Sequence, residues 1–82
     1  MNPRKLLGRI ESNQNSIRFS DVVRLVSALG FAHDRTSGSH QIFIHTRIPA
    51  AQLNLQSDKN GEAKAYQVRQ LLKLIEEYNL TL

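Results

Sequence analysis

Apolar residues recur at helical spacing in three stretches of the chain. Leu6, Leu7 and Ile10 form a short stripe opposite Arg4, Arg9 and Glu11. Asn2 followed by Pro3 supplies an N-cap and then a residue whose missing N–H does no harm, which predicts a helix over 3–11. Gly8 weakens that helix, so it holds only when docked. Residues 12–16 are polar, without pattern, and read as a linker. Val22, Leu25, Val26 and Leu29 then follow the i, i+3, i+4, i+7 spacing of a buried face. Ser20 is placed to cap this second helix, and Asp21 suits its positive end. Gly30 fits the left-handed position after its last turn, with Phe31 folding back over it. A third stripe, Val68, Leu71, Leu72, Ile75 and Tyr78 or Asn79, predicts a helix over 65–78.

Between the second and third stripes the period falls to two. Residues 32–37 and 40–48 read as a pair of strands, the second ended by Pro49. Alternation sets His40, Ile42, Ile44 and Thr46 on one face and Gln41, Phe43, His45 and Arg47 on the other. Both faces carry apolar residues, so either is able to meet the helices. Leu53-Asn54-Leu55-Gln56 is a short third strand with its leucines on one side, followed by a turn over 57–61. The order helix, helix, three strands, helix describes an α+β domain.

Eighty-two residues suit one small domain, and the absence of cysteine excludes a disulfide framework or a cysteine-based zinc site. Eleven Lys and Arg against seven Asp and Glu give a net charge of +4 and a pI near 10.0, which suits a polyanionic partner. No apolar run approaches the roughly 20 residues that cross a bilayer, and the N-terminal apolar segment is too short for a signal peptide. A cytoplasmic protein without a membrane partner is expected.

The candidate chemistry centres on Arg35-Thr36-Ser37-Gly38-Ser39-His40-Gln41-Ile42-Phe43. Gly38 and Ser39 read as the turn between two strands, which places His40 at the start of the second. An unperturbed histidine, with a pKa of about 6.5, both accepts and donates protons near neutrality. His40 and His45 are an odd number of residues apart and point to opposite faces of one strand, with no acidic cluster nearby, so no metal site is expected. His33 and His45 read as surface or sheet-face residues. Ser39 points away from its neighbour's imidazole and reads as turn support rather than a nucleophile. No nucleophile elbow, phosphate-cradling loop or dinucleotide fingerprint occurs. RNA, however, brings its own nucleophile, the ribose 2′-hydroxyl, and its own electrophile, the adjacent phosphate. One histidine and a few cations suffice for that reaction, without metal or cofactor.

The segment Gly30-Phe31 to Arg35-x-x-Gly38-Ser39-His40-Gln41-Ile42-Phe43, followed by Leu53-Asn54-Leu55-Gln56 and Lys64-Ala65-Tyr66-Gln67-Val68-Arg69-Gln70, resembles the HicA toxin family, also called YcfA-like. The resemblance runs from about Phe19 to the C-terminus. It implies a fold like a double-stranded-RNA-binding domain, α-β-β-β-α, with a three-stranded antiparallel sheet packed on two helices. Here residues 19–82 carry that domain, and residues 1–18 are an extension with an extra N-terminal helix. That helix has three candidate roles: covering the outer face of the sheet, self-association, or a mobile tail.

The resemblance further implies the toxin of a type II toxin–antitoxin system. Its activity is that of an mRNA interferase, an endoribonuclease silenced by a HicB antitoxin, with His40 as the catalytic residue. Many family members carry a second histidine where this chain has Gln41. Arg35 by its motif position, and Lys64 and Arg69 by charge, are the candidate phosphate contacts. Two competing readings are an RNA-binding module without catalysis, in which His40 stacks on or hydrogen-bonds the nucleic acid, and a domain whose basic surface serves an acidic protein.

Overall fold

The first helix begins as its sequence requires. The Oδ1 of Asn2 accepts the backbone N–H of Lys5 at 2.9 Å, and Pro3 occupies the first turn. The structure, a computed structural model, describes residues 2–82. Helix α1 (Pro3–Ser12) packs against helix α2 (Phe19–Ala28), burying Leu6 and Ile10 one helical turn apart. It therefore lies with the helices, not over the sheet's open face. The polar stretch after it ends at Ile17, which enters the main core.

Helix α2 starts one residue before the expected cap. Ser20 lies inside the first turn, and the N-cap is Arg18, which offers no side-chain bond. Tertiary pairing explains the shift. Arg18 is held extended in a β-bridge with Glu62, while Phe19 N–H donates to Gly61 O at 3.0 Å and Ala63 N–H to Ile17 O at 2.7 Å. Asp21 does sit in the first turn, where the helix dipole favours a carboxylate.

Three strands, β1 (Phe31–Ser37), β2 (His40–His45) and β3 (Gln52–Leu55), form an antiparallel sheet in that order. The face carrying Phe31, Phe43, Leu53 and Leu55 closes over Val22, Leu25 and Val26 of α2 and over Val68 and Leu71 of α3 (Ala65–Tyr78). This settles which side of β2 meets the helices. His40, Ile42 and Ile44 stand on the open face. The arrangement is the α-β-β-β-α fold of a double-stranded-RNA-binding domain, preceded by α1.

Strand β2 is shorter than its hydrophobic pattern suggests, and His45 is the reason. Of the two positions expected for it, surface or sheet face, this histidine takes the second, buried on the inner face. Its Nδ1 accepts the N–H groups of Arg47 and Ile48 at 3.1 and 3.2 Å, which turns the chain well before Pro49. With Nδ1 accepting, Nε2 carries the proton and donates to Leu29 O at 3.0 Å. The ring also stands edge-on to Phe31, with centroids 5.2 Å apart. Gly30 lies directly beneath it. A Cβ there would meet His45 Nε2 at 2.7 Å, and its φ of +105° disfavours any side chain.

Candidate active site

His40 is placed by a two-residue hairpin loop. Ser37 pairs with His40, and Gly38 takes φ +62° at the first central position of the turn, the geometry that suits twisted antiparallel strands. The imidazole that results is half-buried on the open face, at the end of β2. Its Nδ1 lies 2.9 Å from Oδ1 of Asn54 on β3. An amide oxygen only accepts, so Nδ1 donates and the neutral ring keeps its lone pair on Nε2. The same bond survives protonation, because Nδ1 still donates in the imidazolium. Asn54 thus holds the imidazole in one direction in either protonation state.

A second set of side chains braces the turn from just beyond β3 and from the start of α3. Gln56 Nε2 donates to Ser39 Oγ at 2.8 Å, and Gln56 Oε1 accepts from Lys64 Nζ at 3.2 Å. The Gln56 backbone N–H is held by Oε1 of buried Gln67 at 2.9 Å. Ser39 therefore supports the turn, and Lys64 is tied to that turn through Gln56.

Arg35 reaches the same face by a β-bulge. His33 pairs with Phe43 and Arg35 with Ile42, which leaves Asp34 as the extra residue. Without a bulge, Phe31, His33 and Arg35 would all share one face. The extra residue lets Phe31 turn into the core while Arg35 joins His40 and Ile42 outside. Arg35 makes an ion pair with Asp34, and both side chains are largely solvated, so the pair stabilises little and leaves the guanidinium accessible.

With His40, Asn54 and Arg35 on one face of the sheet and Lys64 tied to the adjoining turn through Gln56, the comparisons decide the family. Residues 19–76 match the family model described as HicA toxin of bacterial toxin-antitoxin. The chain belongs to the HicA toxin family. Neither the curated proteins nor the solved structures yield a match.

As a HicA toxin the chain is one half of a toxin–antitoxin system, with an antitoxin as its partner. No helix among the described residues is long and apolar enough to cross a membrane. The remaining expected residues divide. Arg69 lies on the exposed side of α3, outside the hydrogen-bonded set around His40. His33 is exposed, as expected for a sheet-face position, with Nε2 2.9 Å from Thr36 Oγ1 and its ring edge-on to Phe43. Gln41, at the position where many HicA toxins carry a second histidine, pairs with Thr36 and Leu55 and faces away from His40. Among the described residues, no three His, Asp or Glu side chains gather in a metal-binding arrangement.

Sequence reasoning missed Asn54 and Gln56. Their signal was present: if Leu53 and Leu55 point inward, Asn54 and Gln56 must share the face of His40.

Proposed function

We propose that this HicA toxin is an endoribonuclease, an mRNA interferase, with His40 as its acid–base catalyst. The observation that carries the reading is the hydrogen bond from His40 Nδ1 to Asn54, which orients the ring and leaves the Nε2 lone pair to act as a base. With RNA on the open face, Nε2 takes the proton of a ribose 2′-hydroxyl. The 2′-oxygen then bonds to the adjacent phosphorus, the bond from phosphorus to the 5′-oxygen breaks, and the imidazolium returns the proton to that oxygen. The products are a 2′,3′-cyclic phosphate and a free 5′-hydroxyl. Lys64 and Arg35 flank the site and counter the negative charge that grows on the phosphoryl oxygens. Arg69 contributes to holding the strand farther along.

In this reading residues 19–82 are the toxin domain, residues 1–18 brace its helical side, and a HicB-like antitoxin silences the site. The target, mRNA, puts the protein in the cytoplasm. The test is to incubate purified protein with RNA in excess chelator. Cleavage is expected to persist, and a single 2′-deoxy substitution at the cut site should block it. Cleavage of the deoxy substrate would remove the 2′-hydroxyl from the mechanism. Loss of activity in chelator, restored by a divalent ion, would overturn the histidine-only chemistry.

A further inference from the structure

The exposed side of α3 carries a pattern that the reaction at His40 does not use. Tyr66, Arg69, Gln70 and Lys73 are spaced i, i+3, i+4, i+7 and are all exposed, so they form one stripe along the helix. Tyr66, 51 % exposed, is the one exposed Phe or Tyr side chain among the described residues. Its ring is nevertheless tethered. Gln67 Nε2 donates to the phenol oxygen at 3.4 Å, and buried Gln67 also holds the backbone of Gln56, which reaches both Ser39 and Lys64. An unbroken run of hydrogen bonds therefore fixes an open aromatic face relative to the catalytic turn. Beyond it, neither Arg69 nor Lys73 makes a salt bridge among the described residues. The acidic pair Glu76 and Glu77 ends the basic stripe.

From this juxtaposition we infer that Tyr66 is a nucleobase-binding subsite, on which one unpaired base of the RNA stacks while Arg69 and Lys73 hold the phosphates that follow. The inference rests on the ribonuclease reading and narrows it, because the substrate is then single-stranded. In an A-form duplex each base is covered by its neighbours, so no face is free to meet the ring. A flat aromatic ring followed by spaced cations is the combination that binds single strands with little sequence preference. Likeness to a double-stranded-RNA-binding fold does not argue against this, since the binding mode lies in the side chains and not in the fold.

The experiment uses the full chain carrying His40→Ala, so that RNA is bound without being cut. Affinity for a labelled single-stranded uridine oligonucleotide is measured by fluorescence anisotropy over a range of salt. Adding Tyr66→Ala should weaken binding by roughly 5- to 150-fold, the equivalent of 1–3 kcal/mol for one stacked base, and leave the salt slope unchanged. Tyr66→Phe keeps the ring and should bind within about twofold of the parent, and a blunt RNA duplex should be indifferent to Tyr66→Ala. The subsite is overturned if Tyr66→Ala binds like the parent, if Tyr66→Phe loses as much as Tyr66→Ala, or if duplex binding falls equally. Cutting by the chain with His40 intact is scored separately. Stacking without cutting would overturn the nuclease reading alone, and a parent that binds no RNA would overturn both.

Discussion

Asn54 Oδ1 accepts from His40 Nδ1 at 2.9 Å, and this contact joins the end of β2 to the neighbouring strand. In the register, Asn54 lies opposite Ile42, so it meets His40 diagonally across the sheet. The contact is built on rigid strands, not on a loop. A base held this way keeps one tautomer and one direction, which is what a proton transfer in the transition state demands.

Replacing Asn54 by Ala should lower kcat by about tenfold or more, part of the ~10²–10⁴ that a positioned acid–base group contributes. Because Asn54 is exposed, unfolding free energy should change by under about 1 kcal/mol. Steady-state cleavage and urea unfolding of the same preparation check both figures. Unaltered kcat would mean that His40 needs no orienting partner.

Gly30→Ala tests the buried histidine at the other end of β2. A new Cβ at 2.7 Å from His45 Nε2, on a backbone at φ +105°, must displace the ring or the chain. The expected cost is roughly 2–4 kcal/mol, from strain together with loosened hydrogen bonds to Leu29, Arg47 and Ile48. Denaturant unfolding in a His40→Ala background, where toxicity does not limit expression, reads the shift in midpoint. A variant as stable as its parent would show that the close packing of Gly30 on His45 is dispensable.

Lys64 and Arg69 should separate in their effects. Each replacement by Ala should weaken RNA binding across sequences and lower the salt slope by roughly one unit or less. Only Lys64→Ala, which also removes a cation bonded to Gln56 beside the catalytic turn, should reduce kcat. Binding against salt and single-turnover cleavage distinguish the two. Equal loss of kcat in both variants would place Arg69 at the reacting phosphate.

Much of this arrangement was legible from residue patterns. The helix over 65–78 announces itself through a long stripe, and Gly38-Ser39 through its position between two polar–apolar alternations. Hidden features depended on partners distant in the chain. The bulge at Asp34 has no local mark, such as a glycine. It exists because Phe31 must enter the core while Arg35 pairs outside with Ile42. The burial of His45 was hidden because the groups that it binds, Leu29 O and the N–H groups of Arg47 and Ile48, come together only after the chain turns. Ser20 lost its capping role to Arg18 through a bridge to Glu62, 44 positions later by number (62 − 18).

Silencing by the antitoxin should work by covering the open face. The half-buried Ile42 and Ile44 beside His40 and Arg35 offer an apolar centre with a basic margin, suited to a partner with acidic groups. A stable complex needs on the order of 1,000 Å² of buried surface or more, which commits most of that face. His40→Ala should therefore still bind a HicB-like antitoxin, and RNA and antitoxin should compete for it in a titration. A ternary complex with His40 open to solvent would contradict occlusion.

The central claim is that His40 performs the chemistry, and His40→Ala tests it most directly. Purified variant and parent are compared in RNA cleavage at equal concentration, with urea unfolding as the check on fold. Loss of cleavage and of growth inhibition is expected, with stability changed by under about 1 kcal/mol because the imidazole is partly exposed. A folded His40→Ala protein that cuts RNA at the parent's rate would contradict it.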